Sequence, residues 1–140
     1  MILLDTSGLL AAIDASQRHH TACADALAEA APPRLLSPFV LAELDYLLAT
    51  QVDGAAQLAL LDEVARDVYR LEPFSADDVA IARRVMTRYA NLAIGLADAS
   101  VVVLAQRHRT REVLTLDERH FRTLRDADGR RFRLLPADRR

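Results

Sequence analysis

The chain has 140 residues, 51% hydrophobic and 27% charged, with a net charge of −2; this is ordinary globular composition for one domain, with no apolar run of the roughly 18 to 20 residues that would span a bilayer. A single cysteine excludes an intrachain disulfide and argues against a cysteine zinc site, and all 18 basic residues are arginine, which excludes a Walker-A loop and lysine Schiff-base chemistry. Charge is uneven: residues 1–106 carry 7 arginines against 14 acids, a balance of −7, and residues 107–140 carry 11 against 6, a balance of +5, an asymmetry that suits a polyanion partner, a solvated surface or an acidic protein.

Met1-Ile-Leu-Leu is wholly apolar and stops at Asp5, which predicts a strand buried on both faces, as in the middle of a parallel sheet. No basic segment precedes it, so a secretory signal is not expected and the expected compartment is the cytoplasm. Asp5-Thr6-Ser7 offers helix-cap chemistry, with Leu9, Leu10 and Ile13 as a short apolar face. On this segment alone Asp5 is equally a helix cap or a ligand at the end of a strand.

An alanine-rich helix is predicted over 17–31, stopped by Pro32-Pro33, and carries Cys23 as a small buried apolar residue. The adjacent His19 and His20 would point about 100° apart and make a poor chelating pair. Leu35-Leu36 is a short strand candidate, and Ser37-Pro38 is a helix start. On that helix Val40, Leu44, Leu47 and Leu48 form an apolar stripe that includes Glu43. Glu43 is therefore expected to face the core, where an ionised carboxylate needs a partner or a metal, and Asp45, about 200° round, is expected to face away.

A helix over about 55–67 follows Gly54, with Leu58, Leu61 and Val64 or Ala65 on one face, then a strand over 68–71. Ser75 opens a helix running to Tyr89 with Val79, Ala82, Val85 and Met86 inward; Asp77 and Asp78 suit its dipole. Residues 91–95 are a loop. Residues 96–105 form a nearly wholly apolar helix, buried all round, in which Asp98 is the only charge. Residues 112–116 predict a strand that ends at Asp117 and so repeats the setting of Asp5. A short helix over 118–124, a turn at 126–129 and a last strand over 132–135 complete the chain. Nothing in the setting of His108 and His120 among arginines favours a metal-ligand role over surface exposure.

Strands alternating with helices imply one α/β domain over residues 1–140, a three-layer α/β/α arrangement with a central parallel sheet. Right-handed crossovers place the strand C-termini at one edge, where Asp5 and Asp117 would meet Glu43 and Asp98. Two unit charges about 4 Å apart at an effective dielectric near 20 repel by roughly 4 kcal/mol, so four ionised carboxylates require a cation. At least one of them is expected to titrate well above its usual value through that repulsion. Hard oxygen ligands select Mg²⁺ or Mn²⁺, and the chemistry implied is metal-dependent phosphodiester hydrolysis.

The stretches ILLDTSGLL, SPFVLAELDYLL, GLADASVVVLA and VLTLDERHF together resemble, in order and over nearly the whole length, the PIN-domain ribonucleases, and in particular the VapC toxins of bacterial VapBC toxin–antitoxin modules. The resemblance assigns the family's acidic quartet to Asp5, Glu43, Asp98 and Asp117, and marks Thr6 and Thr115 as hydroxyls that orient a carboxylate or a metal water. It further implies an Mg²⁺-dependent endoribonuclease in which Mn²⁺ can substitute, a structured RNA substrate of the tRNA or rRNA class, a homodimer, and a VapB-type antitoxin that covers the acidic groove. The arginine-rich end is expected to guide phosphates toward the site.

Receiver and haloacid-dehalogenase-like proteins also gather aspartates around Mg²⁺, but their sites use a lysine, and the latter begin Asp-x-Asp where this chain has Asp5-Thr6-Ser7. The alternative from another class is a catalytically silent PIN-like binding module whose acids cap helices and whose arginines hold a partner.

Overall fold

The structure, a computed structural model, describes residues 1–139. Strands β1 (Ile2–Leu4), β2 (Arg34–Leu36), β3 (Arg70–Leu71), β4 (Glu112–Leu114) and β5 (Arg133–Leu135) form one sheet in the order β3-β2-β1-β4-β5, parallel throughout. The predicted α/β class with a parallel sheet is what the chain adopts. Ile2, Leu3, Leu35, Leu36, Val113, Leu114 and Leu134 are fully buried, which explains why these strands read as continuous apolar runs rather than alternating ones.

Seven α-helices connect the strands among the described residues: α1 (Thr6–Ile13), α2 (His20–Glu29), α3 (Pro38–Gln51), α4 (Gly54–Ala65), α5 (Ala76–Arg88), α6 (Leu96–His108) and α7 (Glu118–Phe121). Their starts follow the predicted chemistry. Ser37 accepts from the N–H groups of Phe39 and Val40 at the start of α3, and Ser75 with Asp78 makes a reciprocal capping box on α5. Residues 99–105 of α6 are all buried, as expected of a helix apolar all round. Cys23 is likewise buried.

Several boundaries differ from expectation, each for a local reason. The helix predicted from residue 17 begins at His20, because the Asp14 carboxylate accepts from Ser16 and Gln17 and holds a turn there. The strand predicted over 112–116 leaves the ladder after Leu114. The Leu116 N–H goes to Ser7 Oγ and the Asp117 N–H to Thr115 Oγ1, so the chain bends away. Helix α7 stops at Phe121, where Arg125 takes the carbonyls of Arg122, Thr123 and Leu124. On α4 the buried residue is Leu60, whereas Leu58 is 67% exposed and Leu61 is exposed as well; Val79 of α5 is also exposed.

The strand order carries a functional consequence. From β1 the chain builds outward through β2 and β3, then crosses back to add β4 and β5 on the other side, so the order reverses between β1 and β4. In open α/β sheets the crevice outside the strand C-termini at such a reversal is where ligands bind. Asp5 directly follows β1 and Thr115 directly follows β4, with Asp117 three residues beyond β4.

Candidate active site

A cleft of about 350 Å³ opens at that reversal, lined by Asp5, Thr6, Ser7, Glu43, Asp98 and Asp117 together with Leu10, Leu47, Gln51, Gly95 and Ala97. The four carboxylates singled out from the sequence therefore border one cavity. Their settings differ.

Asp5 is buried, 3% exposed. It occupies the cap position of α1 yet makes no capping bond with its side chain, which removes the helix-cap reading. Its Oδ2 instead accepts from Ser7 Oγ at 2.9 Å and from Thr115 Oγ1 at 2.7 Å. Burial pushes the carboxyl up to about 6; the hydrogen bond from Thr115 opposes that shift, the charge of Asp98 adds to it, and Ser7 and the Thr6 backbone oppose it further. Repulsion among the acids thus contributes, but desolvation leads.

Asp98 lies in the first turn of α6 and is half-buried. Burial raises its carboxyl above the usual range, with His120 pulling the other way and Asp117 and Glu43 adding to the rise. Asp117 caps α7, its Oδ1 accepting from the His120 N–H at 3.0 Å. The imidazole of His120 stands between the two acids, with Nδ1 at 3.0 Å from Asp98 Oδ2 and 2.9 Å from Asp117 Oδ2. Asp98, Asp117 and His120 place ligand atoms within 4.8 Å of one another. Asp5 and Glu43 border the same cleft outside that group.

Glu43 is exposed, not directed into the core. The buried row on α3 is Val40, Leu44 and Leu48, spaced at i, i+4 and i+8; Glu43, Leu47 and Gln51 make the adjacent row, and that row faces the cleft. Asp45 flanks the other side, half-buried, and accepts from Gln57 Nε2 at 2.7 Å. A buried tie keeps Glu43 opposite Asp98. Ser100 of α6 donates to the Ala97 carbonyl, so the hydroxyl of Ser37 at the start of α3 is the donor in their 2.6 Å contact.

Two residues of the site escaped the sequence reading. Ser7 was seen only as cap chemistry; its hydroxyl in fact donates to Asp5 and accepts from the Leu116 N–H. For His120 the available signal is its place three residues after Asp117 on a helix, which brings the two side chains to one face. Of the two threonines, Thr115 bonds Asp5 directly, whereas Thr6 is 5% exposed and its hydroxyl is buried with no hydrogen-bond partner among the described residues. Among the described residues the arginine-rich segment does not converge here: no described arginine lines the cleft, and Arg111 and Arg133 stand at the opposite edge, where β4 and β5 begin. Arg122 pairs with Glu118 and Asp138, Arg133 with Glu112 and Arg139 with Glu29.

The sequence pattern of the PIN domain matches residues 2–126. The chain belongs to the PIN-domain family. Over 135 residues, 96% of its length, this PIN domain is 45% identical to Ribonuclease VapC26 of Mycobacterium tuberculosis, and the match spans 100% of that protein. Among solved structures it resembles the Mycobacterium tuberculosis toxin VapC20, described as cleaving the sarcin-ricin loop, with a TM-score of 0.78, 23% identity, and coverage of 84% of this chain and 90% of that one. It also resembles FitAcB from Neisseria gonorrhoeae, with a TM-score of 0.53, 23% identity, and coverage of 78% and 83%. Those two likenesses establish the fold, and the 45% identity places the PIN domain with the VapC ribonucleases. No helix among the described residues is long and apolar enough to cross a membrane.

Proposed function

We propose that the chain is the toxin of a type II toxin–antitoxin module: an Mg²⁺- or Mn²⁺-dependent endoribonuclease that hydrolyses phosphodiester bonds in structured RNA of the tRNA or rRNA class. The observation that carries the reading is a buried Asp5 at the sheet's reversal point, sharing one cleft with Asp98, Asp117 and Glu43. The 45% identity to a named ribonuclease supports the substrate class.

The residues fit a hard divalent cation. The polar donors are mostly carboxylate oxygens, their mutual repulsion calls for positive charge, and the buried hydroxyl of Thr6 has no partner among the described residues. Asp98 and Asp117 would hold the ion, with Asp5 and Glu43 completing the acidic surround. When bound, such an ion activates a water, orients in-line attack and stabilises the leaving oxygen of a phosphodiester.

The protein's own groups then have distinct tasks. Ser7 and Thr115 hold the Asp5 carboxylate in one orientation through Oδ2, and Thr115 also anchors the Asp117 backbone. Glu43, exposed at the rim, is placed to accept a proton from an incoming water. A phosphate approaching this acidic surface without a cation would be repelled, which is the charge that a bound ion would offset. A VapB-type antitoxin with a basic segment over the cleft, and a homodimeric toxin, complete the proposal.

Purified protein incubated with total RNA, with and without EDTA, tests it. Cleavage that EDTA abolishes and that Asp98→Asn lowers on the order of 100-fold or more is the expected result. Equal cutting by wild type and Asp98→Asn removes the site assignment. No cutting with any divalent ion favours a catalytically silent binding module.

A further inference from the structure

We propose that His120 Nδ1 is itself a ligand of the cation, so that the centre is a mixed carboxylate–imidazole site selective for Mn²⁺ over Mg²⁺; this rests on the metal-dependent reading above. The geometry is the first argument. Nδ1 lies 3.0 Å from Asp98 Oδ2 and 2.9 Å from Asp117 Oδ2. Two ligands adjacent in an octahedron with bonds of about 2.1 Å are separated by roughly 3 Å, so these separations match edges of such a sphere.

The second argument is how the residue is held. The His120 N–H donates to Asp117 Oδ1, which commits that oxygen to the cap and leaves Oδ2 toward the ring nitrogen. His120 follows Asp117 by one helical turn, so its side chain leans back over the start of α7 toward the acids. His120 is only 21% exposed, and its ring is held between Asp98 and Asp117, two of the acids that line the cleft. Thr6 lines the same cleft and carries a buried hydroxyl with no hydrogen-bond partner among the described residues.

Without a cation, one Nδ1 proton can serve both carboxylates as a shared donor. With a cation bound, the Nδ1 lone pair faces the ion and the proton retained by the neutral ring resides on Nε2. The chemistry of the donor then sets selectivity. Imidazole suits first-row transition ions and is a poor ligand for Mg²⁺, which favours oxygen. A centre of carboxylates alone would discriminate far less.

The test uses Mn²⁺ as the probe on the full chain. Pulsed EPR of the Mn²⁺-loaded wild type reads the hyperfine coupling of a directly bonded ¹⁴N and needs no mutant, so it stands even if a variant misfolds. The expected result is a strong ¹⁴N coupling that His120→Asn removes. Calorimetry should show Mn²⁺ binding weakened about 10- to 100-fold in that variant, with Mg²⁺ binding changed much less. Mn²⁺ bound to wild type without nitrogen coupling, or an unchanged Mn²⁺/Mg²⁺ preference in His120→Asn, overturns the ligand assignment while leaving a metal-dependent nuclease intact. Failure of Mn²⁺ and Mg²⁺ to bind wild type at all overturns both.

Discussion

Ser7 and Thr115 stand 108 positions apart in sequence, yet their hydroxyls meet at 3.3 Å and donate to the same oxygen of Asp5. Each also accepts a backbone N–H, Leu116 for Ser7 and Asp117 for Thr115, so both are used as donor and acceptor. The pair therefore sews the end of β1 to the end of β4 and fixes two of the four acids at once. Thr115→Val keeps the shape and removes the hydroxyl. It should raise the Asp5 carboxyl further above about 6, cost about 1–3 kcal/mol by stranding the Asp117 N–H, and lower metal affinity or cleavage about 10- to 100-fold. NMR titration of Asp5 with urea unfolding checks it; an unmoved Asp5 titration would show that the clamp does not orient the carboxylate.

The raised Asp5 pKa makes a statement about stability. With a folded value of about 6 against 3.8 for the free carboxyl, the folded state binds the proton more tightly. Stability is therefore fullest below pH 3.8 as far as this group is concerned, and falls as pH rises through 6. The ionised form then costs about 3 kcal/mol. Metal-free Asp5→Asn should accordingly melt roughly 5–10 °C higher than wild type at pH 7.5, with the gap closing near pH 4. Saturating Mn²⁺ should reverse the order, because only wild type gains the full binding energy. Equal melting temperatures at both pH values would mean that Asp5 is not strained in its buried setting.

The legible part of this fold was the part written in short-range chemistry. An aspartate follows β1 directly and another lies three residues beyond β4, and Ser37 and Ser75 announce their helices, so the sheet and the approach of Asp5 and Asp117 to one edge followed from local signals. Asp98 was equally plain, the one acid on a buried helix. Glu43 was placed correctly in the cleft for an incorrect reason, because periodicity defines a stripe to within one neighbouring row and cannot say whether that row meets core or cavity. The same ambiguity grouped Leu58 and Leu61 on one apolar face, whereas Leu60 is the residue that α4 buries. The bonds of Ser7 to Thr115 and Leu116, and of His120 to Asp98, lie beyond local signals, because they form only once the segment that follows β4 has been laid beside β1 and α6.

Gly8 gives that strand-to-strand junction a steric signature. A Cβ at this position would lie 2.4 Å from the Leu114 carbonyl oxygen and 2.8 Å from the Thr115 nitrogen, both backbone atoms that cannot step aside. On helix propensity alone Gly8→Ala would stabilise by about 1 kcal/mol. Here the sign should invert, with a loss of about 1–3 kcal/mol or more from overpacking. Because the clash pushes α1 off β4, it should also lengthen the Ser7 bond to Leu116 and reduce cleavage. Gly54→Ala, with no atom within 4 Å of the new Cβ, is the control and should leave the melting temperature within a few degrees of wild type.

Glu43 and Asp45 offer the sharpest separation of function from stability, since they sit two residues apart on α3 and flank the same buried row. Glu43 faces the cleft and is exposed, so Glu43→Gln removes a charge without disturbing packing and should shift stability by no more than about 0.5 kcal/mol. Its effect should fall on the reaction: cleavage reduced about 10- to 100-fold, together with weaker divalent-ion binding. Asp45 accepts from Gln57 on the neighbouring helix and does not border the cleft. Asp45→Asn retains an acceptor for that bond and should leave cleavage at the wild-type rate. A rate assay paired with thermal melts on both variants distinguishes the two flanks. If Asp45→Asn loses activity and Glu43→Gln does not, the face of α3 that serves the reaction is the opposite one, and the cleft between β1 and β4 is not where RNA is cut.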